Sequence, residues 1–273
     1  MPDLFWVEID RDVVRVAGPD AETFLQGQIS QDIAVVRTRG SAWSFLLQPQ
    51  GKVDAWLRVS TGDDGEAFVL DVDGGFGDVV VARLNRFKLR VKVDIEQLGR
   101  RCVAFRGDGA SEQHGLAAEW PGIEGVDSIG DAVGGVGRTG TLDDYERARI
   151  EAGVPAMGRE ITPATIPAEL GVNERSVSFT KGCYTGQELV ARIDSRGGNV
   201  PRHLRGLRID GVVPVGARVE HEGRDVGEVT SVVTEHEGTS ALAVLARSVE
   251  PPAGVIVVVD GQSHAGIVRE LPS

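Results

Sequence analysis

Lys181-Gly182-Cys183-Tyr184-Thr185-Gly186-Gln187-Glu188 gathers residue types that could run thiol chemistry. A cysteine acts as a nucleophile or metal ligand as its thiolate. Thr185 and Glu188 have capping-box spacing, which predicts a helix starting at Thr185 and running through Leu189, Val190 and Ala191. Cys183 would then lie just before a helix N-terminus, where the backbone carries partial positive charge. Lys181 adds a full charge, and both favour the thiolate. The competing reading is a small buried apolar side chain, the commoner fate of a free cysteine. A Cys–His dyad needs a histidine close in space. None lies near Cys183 in sequence, although His114 or His203 could fold back.

Two carboxylates are further candidates. Glu151 ends an expected helix. A carboxylate there could accept two parallel N–H donors from a heterocycle, or simply pair with Arg147 one turn earlier. Glu169 follows Pro163-Ala-Thr-Ile-Pro167, a stretch that proline makes rigid and extended. That stretch could hold Glu169 in place or merely connect.

Other chemistries find little support. The two cysteines, Cys102 and Cys183, form no Cys-x-x-Cys pair, and the five histidines are dispersed, so no metal site is expected. No glycine-rich phosphate loop is present. A formal charge of −12 should repel nucleic acid. No apolar run approaches the roughly 20 residues that span a bilayer. The start, Met-Pro-Asp-Leu-Phe-Trp, is unlike a signal peptide. The expected setting is a reduced cytoplasm.

Several elements must position these residues. Val13–Val16 reads as a strand, followed by a helix with Ala21, Phe24 and Leu25 on one face and Gly27 as its stop. Trp43–Leu47 and Val53–Val59 flank the turn Gln48–Gly51 and suggest a hairpin. Asp78–Phe87 has helical spacing. Leu89, Val91, Val93 and Ile95 alternate with charged residues, which predicts a half-buried strand. Residues 107–137 are Gly-rich and read as loop-rich, with a strand or helix inside. Thr141-Leu-Asp-Asp144 predicts a helix start, with Leu142, Tyr145, Arg149 and Ile150 on one face. Beyond the linker Gly197–Pro201 the texture becomes short β segments, consistent with a small barrel. The expected division is residues 1–200 and 201–273.

The Lys181–Glu188 run, continued by Leu-Val-Ala191-Arg192, closely resembles the signature of the YgfZ family and its mitochondrial iron–sulfur assembly relatives. Gly18–Gly27, Arg149-Ile-Glu151-Ala-Gly153-Val-Pro155, Pro167-Ala-Glu169 and Val226–Ser231 resemble motifs of the glycine-cleavage T-protein, so the similarity covers nearly the whole chain. The resemblance implies an α+β fold of several subdomains around a central channel, with a C-terminal β-barrel and tetrahydrofolate in the channel. It implies Glu151 as the pterin contact, with Glu169, Tyr184, Gln187 and Arg192 in the same pocket. Cys183, with Lys181, becomes the reactive thiol. The implied role is support of iron–sulfur cluster assembly or repair and tRNA modification, with iron–sulfur client or assembly proteins as partners. One departure matters. The paired aspartates of true aminomethyltransferases fall on Ala55 and Trp56, and Asp54 is one residue off, on the other strand face. Aminomethyl transfer is therefore not expected. The alternatives are a one-carbon transferase and a folate-free scaffold.

Overall fold

The computed structural model describes residues 3–62, 65–131, 134, 135 and 137–272. β1 (Phe5–Ile9) buries Phe5, Val7 and Ile9 with the period of two that a half-buried strand requires. After Asp10 the chain continues as β2 (Arg11–Ala17), α1 (Ala21–Gln28), α2 (Ile33–Arg39), β3 (Ser41–Leu47), β4 (Val53–Thr61) and β5 (Phe68–Asp73). Next come α3 (Gly77–Phe87), β6 (Asp94–Leu98), β7 (Arg101–Arg106), β8 (Leu116–Ala117), β9 (Gly125–Gly130) and β10 (Arg138–Thr139). α4 (Leu142–Glu151), α5 (Asn173–Ser176) and α6 (Gln187–Asp194) complete this part.

Two five-stranded sheets result, ordered β3-β4-β5-β2-β6 and β10-β1-β7-β9-β8. β1 and β2 are consecutive yet belong to different sheets, so the chain crosses between sheets at Asp10. β3 is buried along its whole length, so its Ser41–Leu47 run is not amphipathic.

The last strands are β11 (Arg202–Ile209), β12 (Arg218–His221), β13 (Arg224–Glu235), β14 (Gly238–Ala246), β15 (Ala253–Val259) and β16 (Gln262–Arg269). They close a barrel in the order β11-β14-β13-β12-β15-β16, which leaves no free edge. Leu207, Val219, Val229, Leu245, Val257 and Val268 form part of its core. A second, smaller cluster of Ile150, Leu204, Val233 and Leu242 seats α4 against the barrel's outer wall.

Three local expectations differ from the structure. The alternating run from Leu89 does not begin a strand: Leu89 is 76% exposed and β6 starts at Asp94, where pairing with β2 becomes available. A period of two needs a neighbouring strand to become a strand. The helix expected from Thr185 starts two residues later, with Gly186 as its N-cap and no side-chain cap. α1 runs past the expected stop at Gly27 and ends at Gln28. Residues 107–137 hold β8, β9 and a short 3-10 turn at Ala110–Glu112 within loop, as expected of a loop-rich stretch with an element inside; positions 132, 133 and 136 lie outside the described residues. Among the described residues, no helix is long and apolar enough to cross a membrane. No cluster of His, Cys, Asp or Glu there could hold a metal ion.

Candidate functional site

α4 starts with a complete capping box: Asp144 N–H donates to Thr141 Oγ1 at 3.1 Å, and Thr141 N–H donates to Asp144 Oδ2 at 2.9 Å. The helix then turns Leu142, Tyr145, Glu146 and Arg149 onto one stripe, at spacings of three and four. That stripe lines a cavity of about 290 Å3. Its other walls are Asp10 and Arg11 from the sheet crossing, Trp43 and Trp56 from the β3–β4 hairpin, Asp73 after β5, Arg106, Trp120 and Asp127. Trp43 and Trp56 are diagonal neighbours across the hairpin, with ring centroids 4.2 Å apart and planes 20° from parallel. Trp120 and Tyr145 make a tilted pair at 5.1 Å.

Beneath this aromatic lining lies a buried charge network. Arg58 Nε and Nη2 donate to the two oxygens of Asp71 at 3.0 and 3.1 Å, and its Nη1 reaches Asp127 at 3.0 Å. Arg11 bridges Asp71 and Asp73 at 2.6 and 2.5 Å. Arg106 lies 2.8 Å from Asp127. Three guanidiniums thus face three carboxylates, and the network is neutral. Burial, the largest single influence, would raise the Asp127 carboxyl; Arg106, Arg58 and Arg11 together outweigh it and hold that carboxyl below its usual value. The guanidiniums also stack on the rings: Arg106 is 4.0 Å from the Trp120 centroid and Arg58 5.4 Å from that of Trp43.

At the rim, Glu146 pairs with Arg149 at 2.9 Å and with Arg159. Burial alone would raise its carboxyl, but the two cations lower it. Arg149 continues inward, to the Val154 carbonyl at 2.7 Å, Glu160 at 3.2 Å and Ser231 Oγ at 2.6 Å. Ser231 sits where the β13 register shifts, so one arginine ties the cavity wall to the barrel.

The Lys181–Glu188 run forms a separate turn, and Cys183 is exposed on it. Lys181 is engaged with backbone carbonyls. Its Nζ donates to the carbonyls of Gln26, Ile29 and Gln31 at 2.7, 2.8 and 3.0 Å, closing the C-terminal end of α1. Burial brings this amine down to about 8, with Asp32 opposing. Gln187 Oε1 accepts from Tyr184 N–H at 3.1 Å and so holds the turn that Thr185 was expected to cap. Burial pushes the Tyr184 phenol up to about 12. Two glycines let this turn approach the β3–β4 hairpin. A Cβ on Gly186 would meet the Gln48 carbonyl at 2.5 Å, and one on Gly51 would meet Leu189 Cβ at 2.5 Å. Both have positive φ, +84° and +80°.

No family model matches the chain. An uncharacterized protein of Haemophilus influenzae is 27% identical over 238 residues, covering 81% of each chain. The tRNA-modifying protein YgfZ of Klebsiella pneumoniae is 28% identical over 219 residues, 67% of this chain and 65% of that one. The mouse mitochondrial iron-sulfur cluster assembly factor IBA57 is 26% identical over 236 residues, 75% of this chain and 66% of its own length. The chain is thus a homologue of proteins named YgfZ and IBA57, which share one GcvT-like family. The glycine cleavage system aminomethyltransferase T of Bartonella henselae shares the fold, with a TM-score of 0.83 at 20% identity over 99% of this chain and 86% of that one.

Within this GcvT-like frame the expected site residues are dispersed. Cys183, Lys181, Tyr184 and Gln187 share the exposed turn, and Arg192 lies exposed on α6. Glu169 is buried, accepts from Ile166 N–H at 3.0 Å and pairs with Arg202 at 3.3 Å. Glu151 is 41% exposed and lies 3.6 Å from Arg208 of the barrel. It follows Arg149 by two residues, which is about 200° around a helix and therefore away from the cavity stripe. Arg147 pairs with Glu235 instead of Glu151. Neither Glu151 nor Cys183 lines the cavity. Glu146 does, and its signal in the sequence was the stripe it shares with Leu142, Tyr145 and Arg149. Trp56, where the resemblance puts an aspartate, is cavity wall, while Asp54 is paired with Arg83 at 3.2 Å. Cys102 is buried, and burial pushes its thiol well up, so it is no candidate for thiol chemistry.

The cavity and the motif turn are joined by hydrogen bonds. Trp56 Nε1 donates to Ser176 Oγ at 2.9 Å, and Ser30 Oγ donates to the Ser176 carbonyl at 2.6 Å. Ser178 N–H donates to the Ser30 carbonyl at 3.0 Å, and Lys181 N–H to Ser178 Oγ at 3.2 Å.

Proposed function

We propose that this chain is a tetrahydrofolate-binding accessory protein that supports iron–sulfur cluster assembly or repair, with Cys183 in a redox or transient thiol role. The observation that supports it best is an aromatic cavity with a neutral polar lining, joined by hydrogen bonds to an exposed cysteine turn. Two relatives carry the names iron-sulfur cluster assembly factor and tRNA-modifying protein. A cytoplasmic setting and iron–sulfur client proteins as partners belong to the same reading. So does a division into a folate-binding part, residues 1–200, and a barrel, residues 201–273.

The cavity suits a pterin. At about 290 Å3 it lies at the small end of ligand pockets, roughly 300–1,000 Å3. It would take a flat bicyclic ring between aromatic walls and leave the rest of the folate at the rim. Asp73 and Glu146 offer acceptors for ring N–H groups, and Arg159 offers a cation at the rim. When bound, tetrahydrofolate would supply a reduced carrier for one-carbon groups. Cys183 would act outside this hollow, where a partner protein can reach it. One thiol cannot hold a cluster that generally takes four.

The test is complementation. In cells lacking the gene, Cys183→Ala should fail to restore a cluster-dependent enzyme that wild type restores. Full rescue by the alanine variant would remove Cys183 from the mechanism. The shared fold with an aminomethyltransferase favours a second reading, one-carbon transfer. Against it stand Trp56 and the engaged Asp54. Turnover with tetrahydrofolate and an aminomethyl donor, lost in Asp54→Asn, would reverse the ranking.

A further inference from the structure

Tyr145 holds the one hydroxyl of the cavity's aromatic wall. Its ring packs against Trp120 and close to Arg106, whose guanidinium carbon is 5.3 Å from its centroid. The hydroxyl itself has no hydrogen-bond partner among the described residues. Tyr145 is only partly buried and lines the cavity, where a ligand can meet it. A phenol in so polar a surrounding normally finds a partner. Neither neighbouring carboxylate takes it: Asp73 pairs with Arg11 and accepts from the Met157 N–H, and Asp127 pairs with Arg58 and Arg106.

The hydroxyl stays protonated, because burial, helped by Asp127 and Asp73, raises its pKa against the lowering by Arg106 and Arg11. It is therefore a donor in waiting. Its strongest electrostatic neighbour is the Arg106 cation, with Asp127, Arg11 and Asp73 following. A positive neighbour favours an oxygen acceptor beside the hydroxyl over another N–H donor. We infer that Tyr145 is the specificity-determining residue of the cavity, donating its hydroxyl hydrogen to the ring carbonyl of a flat heterocycle bound against the tryptophans. This rests on the reading of the cavity as a pterin site and names the contact that selects a 4-oxo ring over a 4-amino one.

The test uses the full chain, Tyr145→Phe and a matched ligand pair, folic acid and its 4-amino analogue. Binding is read from tryptophan fluorescence, since Trp43, Trp56 and Trp120 line the cavity. Tyr145→Phe removes an atom with no protein partner, so its thermal midpoint should match wild type. It should weaken folic acid about tenfold, the worth of one neutral hydrogen bond. The 4-amino analogue, which presents a donor at that ring position, should bind both proteins alike. Equal weakening of both ligands, or no weakening of either, would overturn the inference while leaving the pterin reading intact. Absence of binding to wild type, for tetrahydrofolate as well as the pair, would overturn both.

Discussion

Glu146 and Glu151 are five residues apart on one helix and face different worlds. Glu146 looks into the cavity between two arginines, whereas Glu151 looks at Arg208 on the barrel. The family resemblance points to Glu151, and helical geometry points to Glu146. Calorimetry with tetrahydrofolate separates them. Glu146→Gln should weaken binding about tenfold through a lost charge-assisted hydrogen bond. Glu151→Gln should change affinity less than twofold, since an exposed pair with Arg208 contributes little. The reverse order would return recognition to Glu151 and require α4 to turn. Lys181 makes a similar point. A positive residue two positions from a cysteine suggests activation, yet its amine is held by three carbonyls of the α1 end. Its role in the structure is to seat the turn that displays Cys183.

At the scale of elements, α4 is the hinge pin of the molecule. One stripe lines the cavity, and Ile150 on another packs against the barrel. The Arg149–Glu160–Ser231 cluster fastens the two together, with Ser231 Oγ donating to Glu160 Oε1 at 2.6 Å. Glu160 is fully buried beside Arg149, and removing one partner of such a pair strands the other charge. Glu160→Gln should therefore cost about 3 kcal/mol in urea unfolding, near the low end of that effect because Glu146 still offsets Arg149. A loss under about 1 kcal/mol would mean the cluster does not fasten barrel to helix. The β3–β4 hairpin is the second organising element. It supplies both stacked tryptophans, and its turn receives the motif segment where Gly51 and Gly186 permit close approach.

The whole molecule holds a buried charge network under a ligand-sized hollow. Hydrophobic replacement of such networks is often neutral or stabilising, so stability alone does not explain this one. It keeps the tryptophan walls in register and leaves Tyr145 unspent. Its sign with pH follows from Asp127. That carboxyl is held below its unfolded value of 3.8, so its contribution is present above that value and lost as pH falls through the lower folded one. Asp127→Asn should lower stability at pH 7 and flatten the acid limb of the stability curve. An acid limb as steep as that of wild type, measured by urea unfolding between pH 5 and pH 2 (roughly the range over which such a carboxylate titrates), would show that the network titrates elsewhere.

Local pattern carried much of this protein. The hairpin around Gln48–Gly51, the cap at Thr141 and the stripe of Leu142, Tyr145 and Arg149 were legible because turns, caps and amphipathic faces are set by neighbours in sequence, whereas Ile150, expected on that same face, packs against the barrel. The Lys181–Glu188 run was legible as a family signature. Tertiary structure decided the rest. It alone fixed which stripe of α4 meets the cavity and which meets the barrel, since periodicity defines faces but not what covers them. It placed Lys181 on the α1 carbonyls, because those acceptors lie some 150 residues away in sequence. It left Leu89 outside a strand, because an alternating run needs a partner strand that only the assembled sheet supplies.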